Sequence, residues 1–197
     1  MKIEKKHNSE PRSRKILHAL MINLLYPAVL GTICYSFLSL ITHYNDILRN
    51  ILTFLIILGI LLHFIIDFAG TYIIKRYNRI TFALDILEIY FFYLTFNLCN
   101  YSVRPPNYLA AAFWLSLIHL CDMFYDIVVK SELKYFLRNF ISSMSFFVAF
   151  LVVWLIHIPS SITGWLIFIL IIISDIRLTL LWLIARKIPK SNKIRLN

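Results

Sequence analysis

Six long apolar runs follow one another along this chain and leave little sequence between them. Each run is close to the roughly 20 apolar residues that a helix needs to cross a bilayer. Overall, 60% of the residues are hydrophobic and 15% are charged, whereas roughly a quarter are charged in soluble domains. The sequence therefore predicts an all-α, polytopic membrane helical bundle of six transmembrane helices, at about 16–41, 51–74, 80–99, 108–129, 135–158 and 162–185.

The basic residues alternate between the loops in a way that predicts the orientation. Six Lys and Arg residues lie in the N-terminal tail, three each in the second and fourth loops, and five in the C-terminal tail. The other three loops hold only Arg49 and Arg104. Because short cytoplasmic loops carry an excess of Lys and Arg, we expect both termini in the cytoplasm. The domains are then a basic tail (1–15), a six-helix transmembrane domain (16–185) and a second basic tail (186–197).

Ionisable residues occur inside these runs at helical spacing. His63 and Asp67 are four residues apart, and His119 is followed by Asp122 and Asp126. Residues three or four apart share one face of a helix. Ionisable groups in a membrane are costly and usually face a protein interior or a water-filled cavity. The candidate intramembrane polar cluster therefore comprises His63, Asp67, Asp85, Glu88, His119, Asp122, Asp126, Asp175 and Arg177.

Two interpretations of this cluster are open. In the predicted orientation its carboxylates fall in the cytoplasmic halves of their spans, where they form an acidic vestibule that binds cations or carries protons, with His63 and His119 as relay groups. Alternatively, the carboxylates form an interfacial ion belt with loop residues such as Arg76 and Lys134. Arg177 is expected to pair across helices with Asp122 or Asp67.

Other positions predict local features of the spans. Pro27 frees the carbonyl of Asn23 and should kink the first span. In the second span, Gly59 and Gly70 extend the polar stripe of His63 and Asp67 into a notched face. In the third span, one stripe should face protein; it consists of Thr81, Asp85, Glu88, Thr95 and Cys99.

The chain shows no enzyme motif, so we predict no enzyme, no catalytic residue, no cofactor and no metal site. The His and Asp pairs supply too few ligands per helix face for a transition metal, which makes such a site the minor alternative. The cysteines at 34, 99 and 121 are interpreted as buried small hydrophobic residues, with a Cys34–Cys99 disulfide as the alternative.

The predicted cytoplasmic loops and tails offer a basic surface that either docks a soluble protein or holds anionic lipid headgroups. No direct binding of nucleic acid is expected. The polar stripes on three spans also predict a homo-oligomer, because they offer more protein-facing surface than six helices easily bury. The candidate partner- or lipid-binding residues are Lys75, Arg76, Arg79, Lys130, Lys134, Arg138, Arg186, Lys187 and Lys190.

In size, architecture and the character of its tails, MKIEKKHNSEPRSRK and RKIPKSNKIRLN, the chain resembles the KwaA family, the membrane subunits of the bacterial Kiwa anti-phage systems. The resemblance carries over no functional residue. It implies a non-enzymatic sensor and scaffold in the bacterial inner membrane that forms a homo-oligomer and holds a cytoplasmic DNA-binding effector, KwaB. A small oligomeric cation or proton channel with an acidic cytoplasmic vestibule is the alternative function.

Overall fold

The computed structural model describes residues 12–41, 50–74, 78–100 and 105–187, and this part of the chain contains no strand. Most of the two basic tails lies outside it, although helix extends into the predicted tail regions at both ends. The elements are α1 (Arg12–Leu20), a π-helical turn (Met21–Leu25), α2 (Tyr26–Ile41), α3 (Ile51–Ile74), α4 (Arg79–Cys99), α5 (Tyr108–Val129), α6 (Leu133–Ile156) and α7 (Ser160–Lys187).

Six helical segments among the described residues are long and apolar enough to span a membrane, which confirms the predicted all-α fold with six spans. The first segment crosses α1, the π-helical turn and α2. Many large apolar side chains, such as those of Tyr35 and Leu155, are exposed on the outer faces of the helices, as expected for a lipid-facing surface. The six segments are Ile16–Tyr35, Ile51–Ala69, Arg79–Cys99, Tyr108–Val129, Leu133–Ile156 and Ser160–Leu180.

The first span is irregular next to Pro27, where the sequence predicts a kink. A π-helical turn covers Met21–Leu25, and the backbone N–H of Tyr26 donates to the carbonyl of Met21. Proline has no N–H to donate and its ring clashes with the carbonyl four residues earlier. Widening the preceding turn by one residue accommodates this defect. The side chain of Tyr26 is buried in the bundle.

Short polar turns define several helix ends. The side chain of Asn78 accepts hydrogen bonds from the backbone N–H groups of Ile80 and Thr81, and the Thr81 hydroxyl accepts from the N–H of Asn78. This reciprocal cap satisfies donors that α4 would otherwise leave unpaired. Lys130 ends α5 in the left-handed conformation, with φ 54°. The chain then reverses within a few residues, which makes α5 and α6 antiparallel neighbours.

Helices α3 and α7 run parallel and pack closely. A Cβ atom at Gly59 would lie 2.9 Å from Cγ2 of Ile171, so only glycine allows this approach. One turn further along each helix, His63 meets Asp175. Helices α5 and α6 are held in part by small polar residues, because the hydroxyl of Ser143 donates to the backbone carbonyl of Ser116 at 3.0 Å. Small residues of this kind let membrane helices approach closely.

The predicted stripes face the interior. All five residues of the third-span stripe are buried on α4, and Gly59 and His63 are buried on α3. At Gly70 only the helical backbone is described. Cys99 and Cys121 are buried, Cys34 is partly buried, and the three thiols are free. Apolar side chains fill the space between the stripes, among them Ile56, Ile60, Phe64, Phe92, Phe96 and Ile167.

Candidate functional site

Two histidines meet edge to face near the middle of the bundle. The ring centroids of His63 on α3 and His119 on α5 are 5.1 Å apart, with an interplanar angle of 88°. Each ring is hydrogen-bonded to α7. Nδ1 of His63 is hydrogen-bonded to Oδ1 of Asp175 at 2.5 Å, and Nε2 of His119 lies 3.2 Å from Oγ of Ser174. Three spans are therefore joined by polar contacts about halfway along their lengths.

The histidine rings are fixed by packing as well as by hydrogen bonds. His119 stacks on Phe146 with centroids 5.5 Å apart, and His63 lies 5.5 Å from the ring of Phe92. The close approach at Gly59 sets the register of α3 against α7, and this register places His63 opposite Asp175. The arrangement holds two ionisable side chains of different helices in a single geometry.

Three carboxylates from three spans converge beside the histidines. Asp67 on α3, Glu88 on α4 and Asp122 on α5 each offer one oxygen, and these oxygens all lie within 4.8 Å of one another. Glu88 is buried, and the other two are half-buried. The hydroxyl of Tyr26, beside the π-helical turn, donates to Oδ2 of Asp67 at 2.7 Å. We call Asp67, Glu88 and Asp122 the carboxylate triad.

The triad lies deep in the bundle, on the side of the loops predicted to be cytoplasmic. Asp67 precedes the end of α3 by seven residues, Asp122 precedes the end of α5 by seven, and Glu88 follows the start of α4 by nine. At a rise of about 1.5 Å per residue, these positions are about 10 to 14 Å from the helix ends. The histidine pair lies about one helical turn further in.

His119 connects the two groups. Its Nδ1 lies 4.0 Å from Oδ2 of Asp122, one turn along the same helix. That nitrogen is buried and has no hydrogen-bond partner among the described residues, and the same holds for Oδ2 of Asp175. Buried polar atoms in proteins are nearly always hydrogen-bonded to protein or to ordered water. Each of these two atoms is therefore a candidate to bind water or an ion.

Three residues of the predicted cluster lie elsewhere. Asp126 turns toward α6, where the side-chain amide of Asn139 donates to its Oδ2 at 2.8 Å and Arg138 in turn donates to Asn139. Asp85 is buried on α4 but does not belong to the triad. Arg177 is exposed, and its expected pairing with Asp122 or Asp67 stays a prediction. Because Arg177 is two residues from the buried Asp175, it points to a different face of α7.

Two residues of the site are absent from the sequence-based cluster. In the sequence, Ser174 looks like an ordinary small polar residue of an apolar helix. Its position next to Asp175 is the one sequence feature that could have indicated a role in the site. Tyr26 directly precedes Pro27, and the irregular turn there is the feature that could have drawn attention to it. Its role as a donor to Asp67 depends on how α2 packs against α3, which helical periodicity does not specify.

The described basic loop residues are exposed or contact residues near their own turn. Arg79 and Lys130 are exposed, and Nζ of Lys134 is 2.7 Å from Oε2 of Glu132 in the α5–α6 turn. Arg138 lies near the ring of Tyr135. Lys75, Arg76 and Lys190 lie outside the described residues, and Arg186 and Lys187 belong to the last turn of α7, where only the backbone is described.

The opposite half of the bundle is mainly apolar inside. Between the histidine pair and the other helix ends, the buried side chains include Ile56, Ile60, Phe96, Leu115 and Ile167. The hydroxyls of Thr53 and Tyr108 are hydrogen-bonded to each other at 2.5 Å. At the far end an open crevice of about 520 Å³ is lined by residues that include Pro106, Trp154 and His157. An apolar layer therefore separates the crevice from the polar site.

The fold and the site together define an integral membrane protein with six apolar helices and an ionisable cluster between them. Comparison of the chain with protein-family models, curated proteins and solved structures gives no match.

Proposed function

We propose that this protein binds cations at the carboxylate triad and conducts them across the membrane, as a small cation channel with an acidic vestibule on the cytoplasmic side. One observation carries the proposal: Asp67, Glu88 and Asp122 come from three different spans and bring their oxygens within 4.8 Å of one another. Ionisable groups that converge inside a membrane bundle are typical of ion pathways.

Electrostatics supports a positively charged occupant. Two unit charges about 4 Å apart repel by about 4 kcal/mol at an effective dielectric constant of 20. Three carboxylates at such distances repel one another, and positive charge among or beside them offsets this repulsion. That charge is supplied by a proton, by a basic side chain or by a bound cation. In a channel, the moving cation provides it.

The depth of the triad favours the vestibule over the interfacial ion belt. A belt requires carboxylates near the helix ends, paired with the basic residues of the loops. Glu88 is nine residues inside α4 and only 2% exposed. Lys134, one of the expected belt residues, is paired with Glu132 of its own turn. A carboxylate this deep lies where a cation inside the bundle can bind it.

The apolar layer on the other side corresponds to a closed state in this proposal. Hydrophobic constrictions gate ion channels because water does not fill them stably. The buried residues at this level include Ile60 and Ile167. Conduction then requires the helices to separate at this layer, which connects the triad with the crevice near Trp154 and His157.

The test is cation flux into liposomes that contain the purified protein. Asp122→Asn should reduce the flux at least tenfold, because it removes a charge from the triad. Asp126→Asn is the matched control: it is the same substitution one turn along α5, at a carboxylate that binds Asn139 instead, and it should retain the flux. Equal loss in the two variants, or no flux in the unmodified protein, would refute the proposal.

The sensor and scaffold function implied by the KwaA resemblance stays a prediction, as do the bacterial inner membrane, the homo-oligomer and the cytoplasmic partner KwaB. It depends on the loops and tails, most of which lie outside the described residues. If the unmodified protein conducts no cation, this function becomes the leading candidate. A soluble protein purified in stoichiometric amount with the solubilised chain would support it.

A further inference from the structure

The geometry points to a divalent-cation site in which Asp67, Glu88 and Asp122 are the ligands and a cation of the Mg²⁺, Ca²⁺ or Mn²⁺ class is bound. This inference rests on the proposed function and names the kind of cation that the site holds. It departs from our expectation of no metal site, because the sequence did not reveal that ligands from three helices converge.

The ligands suit hard cations. All three ligand atoms are carboxylate oxygens, which Mg²⁺, Ca²⁺ and Mn²⁺ prefer. Softer metals prefer thiolate or imidazole ligands. Oxygens on opposite sides of a cation are about 4 Å apart for Mg²⁺ and about 5 Å apart for Ca²⁺, given their usual bond lengths. The triad oxygens, all within 4.8 Å of one another, can therefore bind one such ion together without a large movement of the helices.

A second observation, independent of the acidic cluster, is the unpaired nitrogen of His119. The His119 side chain is only 5% exposed, its Nε2 is hydrogen-bonded to Ser174, and its Nδ1 has no hydrogen-bond partner among the described residues. Nδ1 lies 4.0 Å from Oδ2 of Asp122, which is too far for a direct hydrogen bond. A water bound to a cation at the triad would fill this position, since small divalent cations commonly keep several waters.

Tyr26 supports the site from outside the ligand set. Its hydroxyl donates to Oδ2 of Asp67 at 2.7 Å, and such hydrogen bonds hold a ligating carboxylate in the orientation that the metal needs. The ring of Tyr26 packs against Phe64 and Phe68, with centroids 5.4 and 5.2 Å away. The donor is thus fixed to the same helix that carries Asp67.

The experiment is a titration of the full-length protein in lipid nanodiscs with Mn²⁺, followed by electron paramagnetic resonance, because the six-line signal of free Mn²⁺ disappears on binding. We expect one Mn²⁺ per chain, displaced by Mg²⁺ or Ca²⁺. Glu88→Gln removes a ligand charge with little change of shape and should weaken binding more than tenfold. Glu132→Gln, the same substitution at an exposed residue, should leave binding unchanged.

A second, more conservative variant tests the site in case Glu88→Gln does not fold. Tyr26→Phe keeps all three carboxylates and the aromatic packing, and it should weaken Mn²⁺ binding by about tenfold, as the loss of an orienting hydrogen bond typically does. If Glu88→Gln does not remain monodisperse, the Mn²⁺ affinity of Tyr26→Phe is the test of the site. Unchanged affinity in Tyr26→Phe and in every folded triad variant, or no saturable binding in the unmodified protein at millimolar Mn²⁺, would overturn the inference.

Potassium flux measured in the presence of a chelator separates this inference from the proposed function. If flux persists and depends on Asp122 while Mn²⁺ does not bind, the channel stands and the divalent site is wrong. If Mn²⁺ binds with the expected dependence on Glu88 but no cation crosses the membrane, the site stands and conduction is wrong.

Discussion

His63 and Asp175 are separated by 112 positions in the chain and are joined by one buried hydrogen bond. Each side chain is at least nine-tenths buried, so neither can be hydrated by bulk solvent when its partner is removed. A buried polar group that loses its partner costs the full desolvation penalty, whereas replacing both groups by apolar ones can be nearly neutral. At the residue scale, this pair therefore holds α3 against α7, because separating the two side chains would cost the desolvation free energy of both.

This pair gives a prediction for stability. His63→Leu and Asp175→Leu should each lower the free energy of unfolding by about 2–4 kcal/mol, because each leaves one buried polar group unpaired. The double variant should cost about 1–3 kcal/mol less than the sum of the two. The measurement is a double-mutant cycle from unfolding in mixed micelles.

The exposed pair of Glu132 and Lys134 provides the control for that cycle. Their charged atoms are 2.7 Å apart, but both side chains are in contact with solvent, where ion pairs contribute little. The same double-mutant cycle there should show no measurable coupling. Additive costs at His63 and Asp175 would mean that their hydrogen bond does not hold the two helices together.

At the scale of the helices, Gly59 decides how closely α3 approaches α7. The missing side chain admits Cγ2 of Ile171, and the next turn of each helix then carries one partner of the His63–Asp175 pair. Packed membrane helices commonly use glycine in this way. The position of the histidine pair thus depends on a residue that has no side chain of its own.

We expect Gly59→Ala to destabilise the protein by about 1–3 kcal/mol, since the new methyl group would overpack the contact with Ile171. Combining it with Ile171→Ala should recover part of the loss. Gly31→Ala is the control, because no atom of the other described residues outside its own stretch of helix lies within 4 Å of a Cβ built there; it should be neutral or stabilising by up to about 1 kcal/mol. Thermal unfolding in detergent measures all of them. Equal effects at Gly59 and Gly31 would contradict the close contact.

Helical periodicity in the sequence predicted the spans and the faces that point inward, because both depend on one helix at a time. The stripe from Thr81 to Cys99 is buried as predicted. Periodicity does not specify how one helix is rotated and shifted against another. For this reason Asp122 and Asp126 look equivalent in the sequence, whereas one joins the triad and the other binds Asn139.

At the scale of the whole molecule, the bundle divides into a half with ionisable residues and a half that is mainly apolar inside. The polar stripes that predicted a homo-oligomer are largely buried within one chain, so that reason for an oligomer no longer holds. The basic loops predict that the polar half faces the cytoplasm. Orientation and function are linked here, because the proposed vestibule must open on the cytoplasmic side.

The central claim is that the triad is reached from the cytoplasm and not from the opposite side. It is tested most directly by adding a membrane-impermeant, cationic thiol reagent to one face or the other of sealed vesicles. The reporters are Asp122→Cys in the triad and His157→Cys at the crevice, each in a chain whose three native cysteines are replaced by alanine. Mass spectrometry of the purified protein measures the labelling.

We expect Asp122→Cys to be labelled from the cytoplasmic face only and His157→Cys to be labelled from the opposite face only. A cation such as Mg²⁺ should slow the reaction at position 122 when the other two triad carboxylates are intact. Labelling of Asp122→Cys from the face that labels His157→Cys would contradict the cytoplasmic vestibule.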